Sequence, residues 1–199
     1  MSATIFLEGG GPRSELRTRC QKGFHKLLEK CGFTGRMPKL VACGARGASF
    51  DRFKIAHKAK RKDDFIAMLI DSEDPVADIE KPWKHLQQRD GWKKPKGASD
   101  DQVLFMTTCM ETWIVSDPAA LQAHYGTELQ ESALPPLVKL ETQLRHRIQG
   151  DLIHATRNCT NAYGKGKRSF EVLAELNPAT LEEHLPSFAR ALRILRARL

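Results

Sequence analysis

The sequence predicts an α/β protein: a mostly parallel sheet flanked by helices, followed by a helical C-terminal region. Three observations carry this. Short apolar runs at Ala3–Leu7, Lys39–Cys43 and Asp64–Ile70 alternate with longer amphipathic stretches, the signature of right-handed βαβ units. A fourth apolar run, Gln102–Cys109, follows an irregular interval. Beyond Pro135 the apolar spacing becomes helical, with Leu140, Leu144, Ile148 and Leu152 four residues apart.

Taken in order, Ala3–Leu7 is apolar without alternation, as a strand covered on both faces should be. Ser14–Lys30 places Leu16, Cys20, Phe24, Leu27 and Leu28 on one helical face, with Ser14 as the expected N-cap and Gly32 just past the end. Lys39–Cys43 reads as the second strand, and Ser49–Lys62 as a helix with a strongly basic exposed face. Asp64–Ile70, "DFIAMLI", is the third strand; it ends in the acidic run Asp71-Ser-Glu-Asp-Pro75. Residues 75–101, with two tryptophans, Pro82, Pro95, Gly91 and Gly97, read as a long loop or small excursion. Trp113–Tyr125 reads as a helix interrupted at Pro118. Phe188, Leu192, Leu195 and Leu199 form the stripe of a last helix, whose other face carries Arg190, Arg193, Arg196 and Arg198. Residues 1–134 thus form an α/β core, and residues 135–199 a helical region packed on it.

At 199 residues, 41% hydrophobic and 28% charged, the chain can bury a proper core. No apolar run approaches the ~20 residues of a membrane span, and the N-terminus lacks the basic region of a signal peptide. A cytoplasmic protein that does not engage membranes is expected. The five cysteines form no C-x-x-C pair and read as buried thiols. His57, His146 and His154 have no ligand-like spacing. A net charge of +8 favours polyanionic partners, nucleic acid first.

The first strand runs into "LEGGGPRSE". No lysine follows the glycines, which excludes a P-loop, and Pro12-Arg-Ser breaks the dinucleotide fingerprint. Attention falls instead on Glu8. In an open α/β sheet, ligands bind beyond the carboxyl ends of the strands. Glu8 stands at the end of strand one, Asp71 and Glu73 at the end of strand three, and Glu111 at the end of strand four. Carboxylates gathered this way repel unless a cation sits among them. A hard divalent ion, Mg²⁺ or Mn²⁺, one or two per site, suits oxygen donors and phosphoryl chemistry. Each acid alone also reads as a solvated loop residue or a helix cap.

Glu-Gly after the first strand, then helix, strand, helix and a third strand ending in Asp-x-Glu, resembles the TOPRIM fold, a Rossmann-like architecture of topoisomerases, bacterial primases and OLD-family nucleases. "METWIVSDPAAL", "YGKGKRSFEVL" and "LPSFARAL" resemble the small stand-alone TOPRIM-like proteins related to RloB, often paired with an ATPase in phage-defence loci. The resemblance implies a Mg²⁺-dependent nuclease acting on DNA or RNA with an ATPase partner. Glu8 matches the acid/base glutamate, Asp71 and Glu73 the metal-binding Asp-x-Asp, and Glu111 a further ligand. The second aspartate of that motif is a glutamate here, and Asp74 could take its place. A non-catalytic nucleic-acid-binding or interaction subunit is the alternative; a primase-like nucleotidyl transferase is a weaker third.

The basic residues complete the expectation. Lys165, Lys167 and Arg168 lie on a glycine-flexed loop; either lysine could hold a scissile phosphate if the loop folds over the crevice. Arg52, Lys54, Lys58, Lys60, Arg61 and Lys62, with Arg168, are the candidate contacts to a nucleic-acid backbone. The last leucine stripe reads as core, or as a surface for an ATPase or a second copy.

Overall fold

A computed structural model describes residues 2–199. Its sheet has four strands, all parallel, in the order β2-β1-β3-β4: β1 (Ala3–Leu7), β2 (Lys39–Ala42), β3 (Phe65–Asp71) and β4 (Val103–Met106). The α/β expectation holds, as an all-parallel sheet flanked by helices. Helix α1 (Ser14–Leu28) joins β1 to β2, α2 (Arg46–Ala59) joins β2 to β3, and α3 (Pro82–Asp90) lies between β3 and β4. The chain leaves β1 toward one edge and β3 toward the other, so a topological switch point falls between their carboxyl ends.

Both faces of the sheet are covered. Along β3, Phe65, Ala67 and Leu69 pack into one cluster with Phe24, Trp113 and Leu192, while Ile66, Met68 and Ile70 pack into another with Phe53, Trp83 and Leu86. This period-two division of an unbroken apolar run is what a central parallel strand requires. The first cluster also takes in the C-terminal helices α4 (Met110–Val115), α5 (Pro118–Tyr125), α6 (Arg145–Thr156), α7 (Lys167–Glu175), α8 (Pro178–His184) and α9 (Pro186–Arg198).

Several expectations are corrected. The N-cap of α1 is Arg13, not Ser14, which is already helical. Gly32 sits inside a π-turn, Glu29–Phe33, that extends α1, with a φ of 89°. Helix α2 begins and ends three residues earlier than the sequence pattern suggests, so Lys60, Arg61 and Lys62 lie in the loop before β3. The interval 75–101 contains α3, whose Pro82 occupies the first turn, where a missing N–H costs nothing. Residues 138–144 hold only a short 3₁₀ turn, Leu140–Thr142, and Leu144 is exposed, although Leu140, Ile148 and Leu152 are buried as predicted. Arg190 is not on a solvent face. It is 5% exposed and donates to the Val103 and Asp100 carbonyl oxygens at 2.9 Å each and to Glu80 at 3.1 Å, so that α9 is tied to the start of β4.

Candidate metal centre

Glu8 follows β1 directly, and its backbone continues the ladder by donating to the Leu69 carbonyl oxygen at 2.9 Å. Gly9 and Gly44 exchange backbone hydrogen bonds at 3.0 and 2.9 Å, which closes the ends of β1 and β2 together. Gly10 has a φ of +84°, and a Cβ there would stand 2.6 Å from the Arg17 Cα. The glycines therefore let the chain turn under α1 and leave the Glu8 side chain at the crevice.

Glu8, Asp71 and Glu73 bring carboxylate oxygens within 4.8 Å of one another. Glu8 Oε2 accepts the Asp71 N–H at 3.0 Å, and Asp71 Oδ1 accepts the Met110 N–H, in the first turn of α4, at 2.9 Å. Glu73 has a φ of 71°, which turns its side chain back toward the sheet edge, and the Glu73 N–H is held by the Thr108 carbonyl oxygen at 2.8 Å.

Electrostatics set the proton affinities. Desolvation raises the Glu8 carboxyl above its ordinary value against the Asp71 hydrogen bond and Arg46, Arg145 and Lys165. Asp71 is raised well above the ordinary range by desolvation first, then by the charges of Glu8 and Glu111. A cation among them would offset both effects.

The cavity above them has a volume of about 330 Å³; its lining includes Glu8, Asp71, Glu111, Arg145, Lys165 and Gly9 to Gly11. Lys165 reaches in, with its ammonium 3.7 Å from Glu111 Oε1, while Lys167 points elsewhere, 4.0 Å from Glu171. Arg168 donates to the Ala162 carbonyl oxygen and so braces its own loop. Glu111 is 2% exposed; it is not in the three-acid group but accepts from the Tyr163 hydroxyl at 2.8 Å and Gln149 Nε2 at 3.2 Å. Asp74 turns outward and accepts from Arg89 Nε at 2.8 Å.

The candidate backbone contacts on α2 and after it lie away from this cavity. Arg46, in the first turn of α2, donates to the Asp71 carbonyl oxygen at 2.9 Å, so α2 runs from the carboxyl edge of the sheet to the amino edge. Arg52, Lys54 and Lys58 are exposed along it, and Lys54 pairs with Asp51 at 2.9 Å. Lys60 and Lys62 border a hollow with Phe65, the first residue of β3, with Arg61 exposed between them.

Arg145 is the residue that pattern reading missed. It begins α6, pairs with Glu73, and lowers the proton affinity of both Glu8 and Asp71. In the sequence it stands inside a stretch of helical apolar spacing, far from any acidic motif. Tyr163 and Gln149 are similar: each acquires meaning only through Glu111.

The donor set is chemically suited to a hard divalent cation: three oxygen ligands, two with raised proton affinity, at the switch point of a parallel sheet. No helix among the described residues is long and apolar enough to cross a membrane. No curated protein and no solved structure matches the chain. A family model, described as "Domain of unknown function (DUF4276)", matches residues 7–196, and the chain belongs to that family.

Proposed function

We propose that this protein hydrolyses phosphodiester bonds of DNA or RNA with the aid of Mg²⁺ or Mn²⁺. The observation that carries the reading is the meeting of Glu8, Asp71 and Glu73 within 4.8 Å beneath a cavity whose rim bears Lys165 and Arg145. Acids below and cations above match a phosphate group held over a metal. Glu8, Asp71 and Glu73 would hold the ion, which supplies Lewis-acid polarisation of the phosphate and a bound water of lowered pKa. Glu8, at the crevice beside Asp71, would accept and return the proton of the attacking and leaving oxygens. Lys165, on an exposed arm, offsets charge on a non-bridging oxygen. Tyr163 and Gln149 hold Glu111 in place behind Asp71.

An ATPase partner and a role in phage defence rest on the sequence resemblance. A cytoplasmic setting rests on the sequence, whose five cysteines form no C-x-x-C pair.

A second reading, a non-catalytic binding subunit, is favoured by one observation: Glu73 is already paired with Arg145 and lies 3.8 Å from Arg89, so side chains balance part of the acidic charge. Incubation of the purified protein with single- and double-stranded nucleic acid and Mn²⁺ or Mg²⁺ separates the two. Cleavage that Glu8→Ala abolishes is expected; no cleavage, together with no calorimetric Mn²⁺ binding at about millimolar concentration, leaves the second reading.

A further inference from the structure

A second cavity, of about 250 Å³, runs between α1 and α7 and is lined by Arg19, Lys22, Lys26, Lys167, Glu171 and Glu175, with Gly23 and Phe170 at its floor. It exists because the two helices approach closely: a Cβ at Gly23 would stand 2.7 Å from the Phe170 carbonyl oxygen. Phe170 lines both this groove and the carboxylate cavity, so the two are neighbours across that residue.

The charge in the groove is unbalanced. Arg19 is bonded to Glu15 at 2.8 Å and lies 3.7 Å from Glu171, which is also 4.0 Å from Lys167, and Glu175 is bonded to His124 at 2.9 Å, so the unpaired charges are those of Lys22 and Lys26. Lys22 and Lys26 are exposed, and among the described residues neither is paired with a carboxylate. Arg19, Lys22 and Lys26 recur at i, i+3 and i+7 on one face of α1 and span about 10 Å along its axis. Positive charges spread over that length can meet more than one phosphate of a strand. The basic residues near β3, by contrast, stand at the amino edge of the sheet, away from the carboxylates.

Resting on the phosphodiester-hydrolase reading, we infer that the α1–α7 groove carries one strand of nucleic acid, gripped by its phosphates at Arg19, Lys22, Lys26 and Lys167 and led past Phe170 to Glu8, Asp71 and Glu73. Contacts of this kind are indifferent to base sequence and sensitive to salt.

Fluorescence anisotropy with a labelled oligothymidylate of about 20 nucleotides, in EDTA, tests this without cleavage. Lys22→Ala/Lys26→Ala is expected to weaken binding at least ~5-fold and to flatten the log–log salt slope by about 1.4, two contacts at ~0.7 each. The control Lys84→Ala/Lys93→Ala, two exposed lysines on α3 and just after it, should stay within about 2-fold of the parent. Equal loss in both pairs, no loss in the α1 pair, or no binding by the parent protein overturns the inference. Binding that persists in the groove while Mn²⁺ produces no cleavage refutes the hydrolase reading instead and leaves the strand path standing.

Discussion

Asp71→Asn should stabilise the metal-free protein while removing its response to Mn²⁺. The substitution removes an acid whose ionisation the cluster disfavours but keeps an acceptor for the Met110 N–H, which Asp71 Oδ1 meets at 2.9 Å. At an effective dielectric of about 20, ionising Asp71 within 4.8 Å of a second carboxylate costs about 3 kcal/mol or more. Arg145 and Lys165 offset part of the repulsion around Asp71, leaving a net gain of about 1–2 kcal/mol. For a chain of this length that corresponds to a rise in Tm of roughly 2–8 °C. The sign follows from the raised proton affinity of Asp71: its contribution to stability is present below the ordinary carboxylate range and is lost as pH rises through the raised value. The variant's advantage should therefore be clear at about pH 7.5 and vanish in acid. Thermal melts by circular dichroism in EDTA, then with Mn²⁺, read both effects; an ion at about ten times its Kd adds about 1.4 kcal/mol to the parent. A variant less stable than the parent in EDTA at neutral pH, or one stabilised by Mn²⁺ as much as the parent, would refute the picture of an uncompensated metal-binding cluster.

Other tests follow from single contacts. Glu141 accepts from both the backbone N–H and the hydroxyl of Ser187 in the first turn of α9, and burial pushes its carboxyl up to about 7 from 4.5. At about 1.4 kcal/mol per pH unit, the ionised form costs about 3 kcal/mol, with stability present below the ordinary glutamate range and lost as pH rises through about 7. Glu141→Gln should thus match the parent near pH 5 and exceed it by up to about 3 kcal/mol near pH 8 in urea unfolding; a constant offset between the two pH values would count against it. Gly10→Ala forces a Cβ to 2.6 Å from the Arg17 Cα at a φ of +84°, and should cost at least ~2 kcal/mol and weaken Mn²⁺ binding by shifting Glu8; unchanged melting would contradict the strain. Tyr163→Phe removes the hydroxyl bonded at 2.8 Å to Glu111 and should destabilise by about 1–3 kcal/mol, read by the same melts, since a buried carboxylate loses a donor.

Much of the architecture was visible in the residues themselves. Ala3–Leu7 is a strand with the bounds its apolar run suggests, and Phe65–Asp71 departs from its run by one residue at each end. Such strands are buried on both faces, so local hydrophobicity alone marks them. The interval 75–101 hid α3 because Pro82 looks like a breaker, whereas at the first turn of a helix it is at home. Arg190 looked like a solvent-facing arginine in a row of four; three oxygen acceptors from distant segments draw it inside. Asp74 and Glu73 differ by one position, yet the positive φ of Glu73 sends one carboxylate to the cluster and leaves the other to Arg89.

By itself the sequence determined the α/β alternation, the placement of Glu8 and Asp71 at strand ends, and the basic balance of the chain, because each is a matter of local hydrophobic period or composition. Tertiary structure alone decided which charges meet. It brought Arg145 to Glu73 and Lys165 to Glu111, sent Lys167 into the α1–α7 groove, and set Lys60 and Lys62 at the opposite edge of the sheet. Charge contacts across a fold depend on strand order and helix packing, which no short stretch of chain encodes. Glu8 was legible as an acid at a strand end, and only the sheet order made it one corner of a three-carboxylate site.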